Sequence, residues 1–529
     1  MPEVEPRFTA IYHVTVRDGR TVEEHALDIA VEQTVEVPYD CIPRGHIDDG
    51  IVGRVERIDL VSEAHSIHEV AVSYRCDVSG CSIPQLLSTL FGNISLKDNI
   101  RLVDITLPDS MLTVLPGPRF GVEGVRSALG VYGRPLACTA LKPVGLPTGS
   151  LASMAESFAG GGIDIIKDDH GIGDQRCSPF RERVARCQEA VERANAKSGG
   201  RTLYFPMVSG GFDEIEAQVR YASMHGIRGI LIAPMIAGLD TVRHVARQYG
   251  LIIMAHPALA GVYFHDRSHG MTPACLLGTL FRLVGVDISV FPNVGGRFRF
   301  TKDECLELAD ALRRPMGGWN AALPCPAGGM PLDRIGEMGG MYGEDTVLLI
   351  GGSIMQQYDD LTRGTEAFMG EIRSHFAERL VAPSAGYVAS FERPQAIPHG
   401  ASSGVLKFRG FRWSGREPQD YKVDGDLDFR GIVRHELAGS FGEGTGFDLR
   451  YFEIEPGGYS SLEKHVHEHV IIGARGSGLL LAGDEEMAIE PNDVAYVAPL
   501  VVHQLRNPGG EPFGFYCIVD HERDRPMKP

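Results

Sequence analysis

Between residues 135 and 352 the chain repeats one pattern eight times: a short apolar run ending in Gly, Pro or a charged residue, then a helical stretch. The runs are PLACTAL (135–141), GIDIIKD (162–168), LYFPMVS (203–209), GILIAPM (229–235), LIIMAHP (251–257), DISVFPN (287–293), ALPCPAGG (322–329) and TVLLIGG (346–352). Eight βα units in a length near the ~250 residues of such domains predict a closed (β/α)8 TIM barrel. An open, doubly wound α/β sheet is the alternative, and the regularity of the eight units favours closure.

The flanking regions have a different texture. Residues 1–125 mix alternating stretches (AIYHVTV, HEVAVSYRC) with a helical run around SIPQLLSTLFGNI, which predicts a small α+β domain. The barrel is assigned 126–385, and the Pro/Gly/Ser-rich stretch in ERPQAIPHGASSGVLKF reads as a linker over 386–404. From 405 to 529 short strands alternate with turn signals (EPGG, GDEE, PND, NPGG), predicting an all-β domain. A chain of 529 residues is in any case too long for one core.

Bulk properties exclude several classes of function. The formal net charge of -18 argues against nucleic acid or an anionic membrane as the main partner. The first residues, MPEVEPRFTAIYHVTV, lack a basic-then-apolar signal pattern, and no run of about 18 apolar residues predicts a membrane span. Ten cysteines without CxxC spacing read as thiols of a reducing compartment, so a cytoplasmic protein is expected.

In a barrel the chemistry gathers at the C-terminal ends of the strands. Those ends carry Lys142, Lys167, Asp168, Asp169, His170, His256, Asn293 and the pairs Gly328–Gly329 and Gly351–Gly352. The turn KDDH (167–170) suits a hard divalent cation, which takes carboxylate oxygens, and a lysine modified to a carbamate adds another. Taken alone, the same letters also describe a polar strand end that caps the next helix. Each glycine pair presents backbone N–H groups suited to a phosphate, or is a plain tight turn.

The last domain holds a second constellation. In GGYSSLEKHVHEHVIIGARGSG, His465, His467 and His469 fall on alternate residues, and side chains two apart in a strand share a face. VAPLVVHQLRN adds His503 on a later apolar strand, so three or four imidazoles can form a transition-metal site. Cys517, in FGFYCIVDHERDRP, lies on a late strand of the same barrel and is either a buried apolar thiol or a reactive one near the metal.

GGIDIIKDDH resembles the carbamylated-lysine motif GGxDxxKxDE of ribulose bisphosphate carboxylase (RuBisCO) large chains. VYGRPLACTALKPVGL is similar to that family's first barrel strand, HGMTP to its HGMH stretch, PAGG to its seventh strand and YGEDTVLLIGG to its eighth. AVEQTVEV and LLSTLFGNI resemble the N-domain segments that bring a Glu and an Asn to the active site. The likeness is collinear over residues 5–380. It implies a ferredoxin-like N-domain, a Mg2+ held by Lys167 (as carbamate), Asp169 and His170, and Lys142, Lys167 and His256 as candidate catalytic bases. It also implies substrate or phosphate contacts from Glu32, Asn93, Asn293, Arg297 and the glycines 328, 329, 351 and 352. His170 stands where the family has a glutamate ligand, Pro257 where it has a phosphate-binding arginine, and Ala327 where it has a serine.

FPNVGGRF (291–298) occupies the place of the mobile sixth loop without its GKLEG lysine, so the resemblance is to the non-carboxylating RuBisCO-like (form IV) proteins, with Arg297 as a replacement charge. Residues 405–529 resemble a cupin: HxH in the first motif, PxxxH in the second, and a divalent transition metal such as Mn2+ on His465, His467, His469 and His503. The pairing implies a sugar-phosphate isomerase of methylthioadenosine salvage. It would convert 5-methylthioribulose 1-phosphate to 1-methylthioxylulose 5-phosphate, with the cupin, through Cys517, removing the methylthio group. A decarboxylase, transcarboxylase or enolase acting on another sugar-acid phosphate, with the cupin as a sensing or structural module, stays open. The family also implies a homodimer, or a higher homo-oligomer, in which Glu32 and Asn93 complete a neighbouring subunit's site.

Overall fold

The alternation in RFTAIYHVT becomes the strand Arg7–Thr15, which buries Phe8, Ala10, Tyr12 and Val14 on one face. This strand pairs antiparallel with Ile67–Arg75 and Ile100–Thr106, and Ile67–Arg75 pairs with Arg54–Ser62. The helices Val22–Glu32 and Ile83–Phe91 complete the ferredoxin-like arrangement. Thr21 starts the first helix with a capping box closed by Glu24, which satisfies N–H groups that have no partner inside the helix. The sheet takes a fifth strand from outside residues 1–125: Gly270–Met271, inside HGMTP, pairs parallel with Arg101–Leu102.

The computed structural model describes residues 5–79, 82–381, 406–421, 428–439, 446–465 and 467–520. Two compact units emerge, residues 1–394 and 395–529. The linker expected at 386–404 lies outside the described residues.

All eight expected barrel strands form: Leu136–Leu141, Ile165–Asp168, Leu203–Phe205, Gly229–Ile232, Ile252–Ala255, Ile288–Pro292, Leu323–Ala327 and Val347–Leu349. They pair parallel in two sets of four. A bridge between Met207 and Leu231 joins the third strand to the fourth, and the Thr346 hydroxyl donates to the Pro324 carbonyl where the eighth meets the seventh. Alternate residues fill the interior: Leu136, Cys138, Ile165, Phe205, Met207, Leu231, Ile252, Met254, Ile288, Val290, Leu323, Cys325 and Val347 form one buried cluster. Continuing that parity to the strand ends leads to Lys142, Lys167, Asp169, His256 and Gly351. The period-2 geometry therefore aims the polar residues into one mouth above an apolar plug.

The second unit is a nearly closed antiparallel β-barrel whose long strand Phe447–Tyr459 pairs with Arg430–Ala438, His503–Arg506 and Phe513–Asp520. Its interior is lined by Ile432, Phe452, Ile454, Ile471, Leu480, Leu505, Phe513 and Phe515. Cys517 shares the inward parity of Phe513, Phe515 and Val519.

Candidate active site and metal centre

The mouth of the first barrel opens into a cavity of about 790 Å3 lined by Lys142, Lys167, Asp169, His170, His256 and Arg297, with Gly328, Gly329, Gly351 and Gly352 along its wall. Lys167 is 3% exposed, and its Nζ donates to the Asp168 carbonyl at 3.1 Å. The Asp169 Oδ1 accepts from the Gly171 N–H at 3.1 Å and lies 3.3 Å from the His170 Nδ1. The His170 ring stacks on His256 with centroids 4.2 Å apart and planes at 8°. Burial, followed by the charges of Lys167 and His170, holds His256 far below the ordinary imidazole range, so it is neutral. Its Nδ1 accepts from the Ala258 N–H at 3.1 Å, which leaves the proton on Nε2. Burial first, with Lys167 and Arg297 adding, lowers the Lys142 ammonium below its usual value against the opposing pull of Asp169.

Two cations lie over the glycine pairs. A Cβ on Gly351 would sit 3.3 Å from the Lys142 Cε and 3.4 Å from its Nζ, and one on Gly329 would meet the Arg297 Cγ at 2.9 Å. Gly328 and Gly329 hold φ of 104° and 88°, where side chains are strained, and the Gly328 carbonyl accepts from the Arg297 N–H at 2.8 Å. Backbone N–H groups and these two cations suit a phosphate.

The middle residue of the motif belongs elsewhere. Asp168, fully buried on the outward parity, accepts from the Arg183 Nε at 3.0 Å, the Tyr204 hydroxyl at 2.9 Å and the Met207 N–H at 3.0 Å. It joins the strand to the helix layer and takes no part in the cavity wall. Asn293, expected to contact substrate, is likewise buried. Its Oδ1 accepts from the Tyr342 hydroxyl at 2.5 Å and its Nδ2 reaches the Met330 Sδ at 3.6 Å, so its side chain packs behind the strand ends. Glu32 and Asn93 come together, the Asn93 Nδ2 donating to the Glu32 Oε1 at 3.1 Å, but neither lines the cavity. Sequence reading missed Arg267 and Glu304, an ion pair in the cavity wall: Arg267 lies in a loop without periodic signal, and Glu304 closes a capping box with Thr301 at the start of helix Lys302–Arg313, a role that accounts for it without any site.

In the second unit the ligand atoms of His465, His469 and His503 lie within 4.8 Å of one another. The His465 Nδ1 donates to the His467 carbonyl at 2.7 Å and the His503 Nδ1 to the Val501 carbonyl at 2.9 Å, which fixes both tautomers with Nε2 as the lone-pair nitrogen. His465 is 1% exposed and its Nε2 has no hydrogen-bond partner among the described residues. Burial and the neighbouring His467 and His503 push His465 down to about 4, and burial pushes His469 lower still. Convergent imidazoles, two of them pushed toward the neutral form and one with an open buried nitrogen, fit a transition metal. His467, expected as a ligand, is outside that cluster: its ring stacks on His465 at 3.7 Å and its Nε2 lies 3.3 Å from that of His469. The Cys517 Sγ is 3.7 Å from the His469 Nδ1. The cavity beside the triad, about 170 Å3, is also lined by Tyr421, Arg450 and Glu463, which sequence reading did not single out. The alternation that marked the histidines also reaches Glu463, two residues before His465.

A barrel with cationic groups over two glycine turns, a KDDH turn in its mouth and a ferredoxin-like domain ahead of it defines a class. Residues 121–378 match the catalytic domain of the ribulose bisphosphate carboxylase large chain, and residues 450–519 match the cupin domain. The chain belongs to the RuBisCO large-chain family, in its RuBisCO-like branch, and carries a C-terminal cupin domain. It is 43% identical to the 5-methylthioribulose-1-phosphate isomerase of Rhodospirillum rubrum over 368 residues, covering 69% of this chain and 96% of that protein. It is 31% identical to the 2,3-diketo-5-methylthiopentyl-1-phosphate enolase of Geobacillus thermodenitrificans, covering 59% of this chain and 76% of that one. The crystal structure of a Rubisco-like protein from Rhodopseudomonas palustris superposes with a TM-score of 0.64 at 41% identity, over 70% of this chain and 99% of that one. None of the described helices is long and apolar enough to cross a membrane.

Proposed function

We propose that the first unit isomerises 5-methylthioribulose 1-phosphate to 1-methylthioxylulose 5-phosphate. The observation that carries this reading is one cavity holding a phosphate cradle (Arg297 and the two glycine pairs) beside proton-transfer groups (Lys142, His256), in a chain 43% identical to an isomerase of that name. Both compounds are ketoses with the same atoms; the carbonyl moves from beside the phosphate-bearing carbon to beside the sulfur-bearing one. That shift takes successive enolisations, each moving a proton between neighbouring carbons and a carbonyl oxygen. Lys142, lowered toward neutrality by burial, abstracts the carbon-bound proton, and neutral His256 carries protons through its Nε2. Asp169 and His170, with Lys167 as a carbamate, would hold a divalent cation, Mg2+ or one more tolerant of imidazole, which supplies stabilisation of enediolate charge. Apolar residues in the same wall, Pro257, Ala258, Phe264 and Leu349, accept the methylthio end. The exposed Glu32–Asn93 pair, outside this cavity, is assigned to the site of a second subunit in a cytoplasmic homodimer.

The cupin takes the next step in this reading, with Mn2+ or a similar ion on His465, His469 and His503. Replacing C–S by C–H requires two electrons. The Cys517 thiolate attacks the methylthio sulfur, the C–S pair passes to carbon as an enolate that takes a proton, and deoxyxylulose 5-phosphate leaves. Two equivalents of a small-molecule thiol then reduce the Cys517 mixed disulfide, releasing methanethiol.

The test is incubation of the full chain with 5-methylthioribulose 1-phosphate, followed by phosphorus NMR, with and without thiol. A new phosphoester, with methanethiol in the thiol arm, is expected. An unchanged spectrum refutes the isomerase reading. An isomer without methanethiol keeps the barrel step and removes the cupin step, leaving the cupin as a binding module.

A further inference from the structure

Arg450 is a charged side chain buried to 8% exposure in the wall of the cupin cavity, and its guanidinium stacks over Phe452 at 5.2 Å. It forms no ion pair among the described residues. Its Nη2 donates to the Cys517 Sγ at 3.6 Å, and its Nε, on the same edge of the fork, has no hydrogen-bond partner among the described residues. Arg450 and Cys517 are direct cross-strand partners, so this edge is held by sheet register. Cys517 in turn lies 3.7 Å from the His469 Nδ1, which places the guanidinium close to the metal triad.

A buried guanidinium without a carboxylate is costly, by several kcal/mol per ion. A divalent metal on the triad would put a second positive centre in the same small space. Two cationic centres outweigh the one Glu463 carboxylate in that wall, and with the open Nε they call for an anionic group between them.

We propose that Arg450 forms an oxyanion subsite of the cupin domain, taking the two-oxygen edge of a small planar monoanion, a carboxylate or an enediolate, against the metal. Geometry favours that class over a phosphate monoester. The Nε–Nη2 edge can take two oxygens of either group, but the Glu463 carboxylate in the same wall opposes a dianion. A cavity of about 170 Å3 is near the ~150 Å3 that encloses a benzene ring, so it takes a short carbon skeleton and leaves a phosphate outside. Where the cupin acts on a phosphorylated thiosugar, the subsite faces the keto end as it becomes an enolate. The subsite does not depend on that substrate, and its test is separate from the phosphorus NMR experiment.

The test is equilibrium binding of glycolate to the Mn2+-loaded full chain, read by calorimetry, for wild type, Arg450→Met, Arg450→Lys and the barrel control Arg297→Ala, with inorganic phosphate as a parallel ligand. Circular dichroism checks that each variant is folded. Glycolate affinity is expected to fall at least tenfold in Arg450→Met, partly recover in Arg450→Lys, and stay unchanged in Arg297→Ala. Phosphate affinity is expected to respond to Arg297→Ala and not to Arg450→Met. Glycolate binding equally to wild type and Arg450→Met, or to neither, overturns the subsite. Phosphate binding that is lost in Arg450→Met while glycolate binding survives overturns the assigned class.

Discussion

Replacing Gly329 by Ala perturbs the phosphate cradle at one defined point. The added Cβ would lie 2.9 Å from the Arg297 Cγ and 3.4 Å from its Cδ, so the arginine must swing off the glycine turn. The backbone at φ 88° also has to carry a side chain, which costs about 1–2 kcal/mol in the left-handed region. That part appears as lost stability in denaturant unfolding. The second part is functional: a hydrogen bond to a charged group contributes about 1.5–3 kcal/mol, and each 1.4 kcal/mol is tenfold, so kcat/KM should fall about 10–150-fold. The assay is steady-state isomerisation of 5-methylthioribulose 1-phosphate by wild type, Gly329→Ala, Arg297→Met and the double variant. If the alanine acts by displacing Arg297, the double variant is scarcely slower than Arg297→Met. Losses that simply multiply, or an unchanged kcat/KM in Gly329→Ala, refute the idea that Arg297 and this turn bind one phosphate together.

Three further outcomes are expected. Asp168→Asn breaks a fully buried pair with Arg183 and should cost about 3–5 kcal/mol in chemical denaturation while leaving KM of the folded fraction unchanged; a large KM rise would place Asp168 in the site after all. Since burial lowers the Lys142 ammonium, the neutral amine grows in below the ordinary lysine pKa. The kcat profile should therefore rise with pH to a midpoint under 10.5; a midpoint at or above that value would remove Lys142 as the base. The double variant His465→Ala/His503→Ala should lose the cupin's transition metal in elemental analysis and keep isomerase turnover; retained metal would count against the triad.

The sequence already specified the architecture. Eight apolar runs of strand length, each closing on Gly, Pro or charge, call for a helix-covered parallel sheet, their regularity favours closure over an open sheet, and all eight strands formed where the runs lie. Their place at strand ends made Lys167, Asp169 and His256 legible as mouth residues, and period-2 alternation marked His465 and His469 as one face. Alternation could not say what lies opposite. Asp168 and Asn293 sit in the same polar run-outs as the cavity residues, but their partners, Arg183 and Tyr342, come from helices 15 and 49 residues further on. His467 falls on the expected alternation and still lies outside the cluster; the strand itself begins only at His469. Arg450 was hidden for a related reason. Its strand is covered on both sides, by Tyr451 toward one cluster and Phe452 toward the other, so no pattern marks the guanidinium as inward. Local chemistry sets the strand and its parity; the partner that satisfies or leaves open a buried charge is chosen by non-local packing, which only the tertiary structure decides.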